Sequence, residues 1–203
     1  MKTNWLIILG FVFALLVSCE EDNELRNSIF IYDPDNTDLP AYSEWGYNTF
    51  GALYDRDVFV SNEWLVPAKV IVSDTGLTLQ FSGNRTSSSY YSYNYSEMTM
   101  SFNLSGFKPE HFTDLVVFND SIIDLTQPSC KVSITDDNYD YEVDIIEGKL
   151  YIKRVQILQV DKQEVEAIVS GYFDLKTKLD DSPVAISDGR FDVGIGRENF
   201  FEY

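Results

Sequence analysis

The sequence predicts an all-β protein, an antiparallel sandwich or barrel of about ten to twelve short strands that ends in a C-terminal meander. Three observations predict it. From Trp45 onward apolar and polar residues alternate over short runs, the two-residue period of a pleated strand. No apolar pattern with the helical 3.6-residue period extends beyond about two turns. Turn-forming residues divide the runs, and between Lys131 and Leu175 the divisions are short enough for hairpins.

Taken along the chain, residues 29–32 read as an edge strand. Strand runs follow at 49–54, 58–60, 68–72, 77–82, 98–104, 115–117, 122–125, 130–135, 139–146, 150–160, 164–175 and 184–193. The clearest alternation sets Val165, Ala167, Val169, Gly171, Phe173 and Leu175 on one face, with Glu164, Glu166, Ser170 and Asp174 on the other. Such a strand has one buried face and one wet face. Turns are predicted at Asp136-Asp137-Asn138, at Glu147-Gly148 and at Asp161-Lys162-Gln163. At Lys153-Arg154 the apolar phase slips by one residue, which predicts a β-bulge. The best place for a helical turn is Gly106 to Phe112.

Composition supports a folded domain. Hydrophobic residues make up 44% of the chain and aromatic residues 15%, well above a disordered composition. The 33 acidic side chains outweigh 15 basic ones, for a net charge of −18. That surface repels nucleic acid and anionic headgroups, so nucleic acid is excluded as a partner.

The first 18 residues read as a leader. Trp5 to Val17 is an apolar run of 13 residues, shorter than the roughly 20 that span a bilayer, so a signal peptide is expected. Leu16-Val17-Ser18-Cys19 resembles the lipobox of bacterial lipoproteins. The resemblance implies cleavage before Cys19 and acylation of its sulfur; the alternative is a secretory signal with a chance cysteine. Glu20-Glu21-Asp22-Asn23-Glu24 resembles the acidic run that follows the acylated cysteine in surface-exported lipoproteins of Bacteroidetes, although an acidic linker would look the same. The expected organisation is a leader at 1–18, an acylated Cys19 with a tether to residue 44, and one domain at 45–203. Acylation leaves Cys130 without a disulfide partner, and its strand-like surroundings make it a small buried hydrophobe.

Two segments resemble a family of Bacteroidetes lipoproteins. One is Asn48-Thr49-Phe50-Gly51-Ala52-Leu53, followed by Trp64 and Pro67. The other is Val169-Ser170-Gly171-Tyr172-Phe173-Asp174, followed by Ser187-Asp188-Gly189-Arg190-Phe191. The resemblance implies an all-β domain displayed in the cell envelope, and it implies no activity. This chain departs from the family in Trp64-Leu65-Val66 and in the closing Phe200-Phe201-Glu202-Tyr203. Physically, Gly51 and Gly171 suit close backbone approach. Asp188-Gly189 suits a turn with positive φ, and Arg190 is expected to pair with a carboxylate.

Three further patterns bear on function. Asp136, Asn138, Asp140, Glu142, Asp144 and Glu147 carry the spacing of a calcium loop, but Tyr141 stands where the loop needs glycine. A solvated acidic stripe is the favoured reading, with a cation site at Asp136, Asn138 and Asp140 as the alternative. Tyr90, Tyr91, Tyr93 and Tyr95 lie among serines, a composition like that of binding loops. With Trp64 they are candidates for stacking on sugars, against a plain hairpin connection. Asp120-Ser121-Ile122 matches a short O-glycosylation pattern with Ser121 as acceptor.

Signals for catalysis are few. There is one histidine, no Gly-x-Ser-x-Gly and no His or Cys cluster. The expectation is therefore a non-enzymatic β domain without a cofactor, held by acyl chains on Cys19 at the outer membrane and facing the cell surface. It would bind a ligand, with glycans foremost. The alternative is a structural or assembly subunit of an outer-membrane complex.

Overall fold

The computed structural model describes residues 29–61, 66–89, 92–136, 139–179 and 182–203. Thirteen strands are present among them: β1 (Phe30–Ile31), β2 (Tyr42–Ser43), β3 (Thr49–Tyr54), β4 (Asp57–Val60), β5 (Ala68–Ser73), β6 (Gly76–Ser89), β7 (Ser92–Ser105), β8 (Ser121–Asp124), β9 (Cys130–Asp136), β10 (Tyr139–Val160), β11 (Gln163–Leu179), β12 (Ser182–Gly196) and β13 (Phe200–Glu202).

The pairings close a ring. β3 pairs with β4, β4 with β6, β6 with β7, β7 with β9, β9 with β10, β10 with β11 and β11 with β12, all antiparallel. β12 then returns to β3, Phe191 opposite Phe50. This is an eight-stranded up-and-down barrel, in which closure removes exposed sheet edges. Two interruptions leave the ring. β5 lies beside the lower half of β6 and carries β13 in parallel, and β8 lies beside β10 at residues 149–152.

Strand periodicity turns the large apolar residues inward. Phe50, Phe59, Phe81, Phe102, Phe173 and Phe191 are almost fully buried. Phe50 stacks on Phe81 at 4.7 Å, and Phe81 meets Phe191 at 4.9 Å. Eight strands enclose a space that side chains just fill. A residual void of about 20 Å³ is lined by Val70, Leu79, Leu115, Phe118 and Val169 among others. The barrel interior is a packed core.

The expected strand at 115–117 is instead part of a 3-10 helix, Phe112–Phe118. Three residues per turn put Phe112 and Leu115 into the core and leave Val116 and Val117 exposed. His111 caps the helix: the Thr113 N–H donates to its ring, and Asp114 accepts from the His111 N–H at 3.0 Å. The helix therefore begins where the predicted helical turn ends.

Glu147-Gly148 is no turn. β10 runs through it as 22 residues, with a bulge between Ile145 and Glu147. Glycine is there for proximity, because a Cβ on Gly148 would lie 2.6 Å from Leu175. The slip at Lys153-Arg154 is a bulge between Ile152 and Arg154. Gly171 faces the Tyr151 carbonyl with no room for a side chain. Asp188, at φ +54°, sits in a bulge of β12, so Asp188-Gly189 irregularises a strand and does not end one.

The tether expectation fails for residues 29–44. β1 and β2 pair as a small ladder, and residues 33–47 lie on the outer wall of the barrel as a strap. The folded unit begins by Ile29.

Candidate functional site

The lumen is filled, and on the outer wall β11 and β12 present Ile168, Ser170, Tyr172, Asp174, Arg190 and Asp192. Ile168, Ser170 and Asp192 are nevertheless buried, because the strap covers them. Asp192 is the fastening. Its carboxylate accepts from the N–H groups of Trp45 (3.1 Å), Gly46 (2.7 Å) and Tyr47 (3.2 Å). It also accepts from the hydroxyls of Ser43 and Ser170. Charge-assisted bonds of this kind are about twice as strong as neutral ones. Two ion pairs pin the strap further: Arg190 to Asp33 at 2.8 Å, and Arg154 to Glu44 at 3.7 Å. The Arg190 guanidinium and Asn36 hold the Asp33 carboxyl down at about 2.

The strap divides the wall into two grooves. The first, of about 500 Å³, is lined by Ile31, Tyr42, Tyr172, Asp174, Asp188 and Arg190 among others. Tyr172 forms an aromatic platform, stacked on Tyr151 at 4.6 Å and met edge-on by Tyr42 at 6.4 Å. It remains 40% exposed. The Tyr42 hydroxyl donates to Glu44 at 2.9 Å, and burial together with that carboxylate raises its pKa. A flat ring bordered by hydroxyls and carboxylates offers a π face to C–H groups and acceptors to O–H groups, the requirements of a polyhydroxylated ligand.

The second groove, of about 1010 Å³, is wider and acidic, with Asn48, His111, Glu164, Glu166, Arg197 and Glu198 on its walls. Glu166 fills the space over Gly194. Burial raises its carboxyl pKa, with Asp192 adding to the effect. His111 is engaged as a helix cap, and burial pushes the Cys130 thiol up to about 11, where little thiolate forms.

The residues singled out in the sequence fall elsewhere. Asp136 points into the barrel mouth, bonded to Arg85 at 2.7 Å, while Asp57 lies 3.7 Å from the same guanidinium. Asp140 lies on the outside, accepting from Thr135 at 2.5 Å. Strand alternation puts them on opposite faces, which overturns a shared cation site; Asn138 lies outside the described residues. Among those described, no three His, Cys, Asp or Glu side chains converge. Tyr95 is exposed on β7 opposite Thr86, with β9 and β10 between it and Tyr172. Tyr90, Tyr91, Trp64, Cys19 and the side chain of Tyr93 lie outside the described residues. Ser121 pairs with Ile152. Its hydroxyl is buried and, among the described residues, without a partner, so the folded domain does not present it to a glycosyltransferase. Arg190 does pair with a carboxylate, supplied by Asp33.

Comparison with protein-family models, curated proteins and solved structures finds no match for this chain.

Proposed function

We propose that this chain is an acyl-anchored cell-envelope lipoprotein, held at the outer membrane through Cys19 and facing the cell surface, whose barrel binds glycan without catalysing a reaction. The binding site in this reading is the groove beside the strap. One observation carries it: Tyr172 is held flat by Tyr151 and Tyr42 yet stays half open to solvent, next to Asp174 and Asp188. An aromatic surface kept rigid and partly wet favours a ligand with both apolar and hydroxyl faces.

A panel of neutral glycans titrated calorimetrically into the soluble domain tests this. Binding is expected, with Tyr172→Ala abolishing it and Tyr95→Ala leaving it intact. The opposite result moves the site to the β6–β7 hairpin, and reducing-sugar release from a bound polysaccharide would overturn the non-catalytic part. Labelling with a fatty-acid analogue, lost in Cys19→Ala, checks the anchor.

The assembly reading keeps one specific support. β13 ends the sheet path, with Phe201 in it and Tyr203 just after it exposed. Deleting residues 200–203 would weaken a strand-mediated complex and spare the Tyr172 groove.

A further inference from the structure

The strap carries an apolar surface that the groove does not use. Its ladder sets Ile31 opposite Tyr42 and Phe30 opposite Ser43, and successive residues of a strand project to opposite sides. Ile31 and Tyr42 line the groove. On the other side Phe30 lies 6.4 Å from Trp45 between ring centroids, and Trp45 meets Tyr47 edge-on at 5.4 Å. These three rings are 56%, 40% and 54% exposed. Clustered apolar rings left in water mark an interaction surface, and Trp and Tyr concentrate where headgroups meet acyl chains.

The chain on the N-terminal side points to the occupant. Nine residues, 20–28, separate Cys19 from Ile29, so the two are joined by at most about 35 Å of extended chain. Acyl chains on Cys19 would keep the strap within reach of the bilayer surface. Of the strap's carboxylates, Asp33 and Glu44 are already paired with Arg190 and Arg154, while Asp35 and Asp38 are exposed. Seating the rings would therefore not bring Asp33 and Glu44 unpaired to the lipid. The net charge of −18 opposes anionic headgroups, which leaves a zwitterionic surface.

We infer that Phe30, Trp45 and Tyr47 form a membrane-resting face, seated in the interfacial layer of the bilayer that holds the Cys19 acyl chains. This rests on the anchoring proposed above. A lipid anchor and an aromatic seat together fix orientation, where an anchor alone leaves the domain free to tumble.

The test uses the acylated full-length product with Trp64→Phe, so that Trp45 is the only tryptophan after the leader. It is reconstituted in phosphatidylcholine vesicles with and without bromine on the acyl chains. The protein should float with the vesicles, and its emission should shift to shorter wavelength and be quenched severalfold by the brominated lipid. Adding Phe30→Ser and Tyr47→Ser should reduce quenching without loss of flotation. Flotation with no quenching overturns the membrane face and leaves the anchor standing. Failure to float overturns both. A concentration-dependent dimer in sedimentation that shields Trp45 from the brominated lipid overturns it in favour of a second copy of this chain.

Discussion

β11 and β12 have two faces that are held by different chemistry. Inside, Phe173, Leu175, Phe191, Val193 and Ile195 are buried by shape and apolar contact alone. Outside, Ser170 and Asp192 are just as buried, but through hydrogen bonds from a strap distant in sequence. The inner face tolerates any apolar residue of the right volume. The outer face depends on individual atoms, because a buried carboxylate is stable only while its donors stay in place. The inner face holds the barrel together, and the outer face positions the groove.

That contrast breaks most severely from within. Phe81→Ala should lose about 3–5 kcal/mol of stability in urea unfolding, and a loss below about 1 kcal/mol would mean that the lumen is not tightly packed. Asp192→Ala should cost about 2–3 kcal/mol by stranding its donors. Its signature should be local, with amide exchange at residues 45–47 rising well above that of β6 and β7; equal protection in the variant would show that the strap is held some other way. Tyr172→Ala should change stability by less than about 1 kcal/mol while removing ligand, which separates the groove from the framework.

The smallest effect is expected from acid. The Asp33 carboxyl is depressed in the folded protein to about 2 by Arg190 and Asn36, against about 3.9 for an unfolded chain. Its contribution is therefore complete above about pH 5 and is lost as the pH falls through about 2. A side-chain NMR titration of Asp33 should show the low midpoint, and a midpoint near 4 would remove the ion pair from the account.

What the chain revealed in advance follows the same division. The run at 164–175 was readable because its two faces differ in polarity residue by residue, and the Lys153-Arg154 bulge because a phase slip is a local signal. Gly148 misled, since a glycine kept small by a neighbouring strand looks like one that makes a turn. Val116 and Val117 misled because β-branched residues favour strands, while the spacing of Phe112, Leu115 and Phe118 belongs to a 3-10 helix. The site was harder. Tyr172 lies in a strand whose pattern was clear, but Tyr42 and Tyr151 reach it only through the fold. Asp192, between the core residues Phe191 and Val193, reads as an ordinary outward-facing polar position of an alternating strand, and three of its donors are backbone groups that no side-chain pattern marks.

The pairing of β12 with β3 joins Phe191 to Phe50 across the chain, whereas the other ring pairings join strands close in sequence. It is the seam of the barrel, and the Asp192 fastening lies on it. A pull applied at the N-terminus reaches the strap first and loads those few hydrogen bonds against β12 before it can peel β3 away. In mechanical terms the buried carboxylate is a clamp over the seam, which places it between a load arriving through the strap and the opening of the barrel.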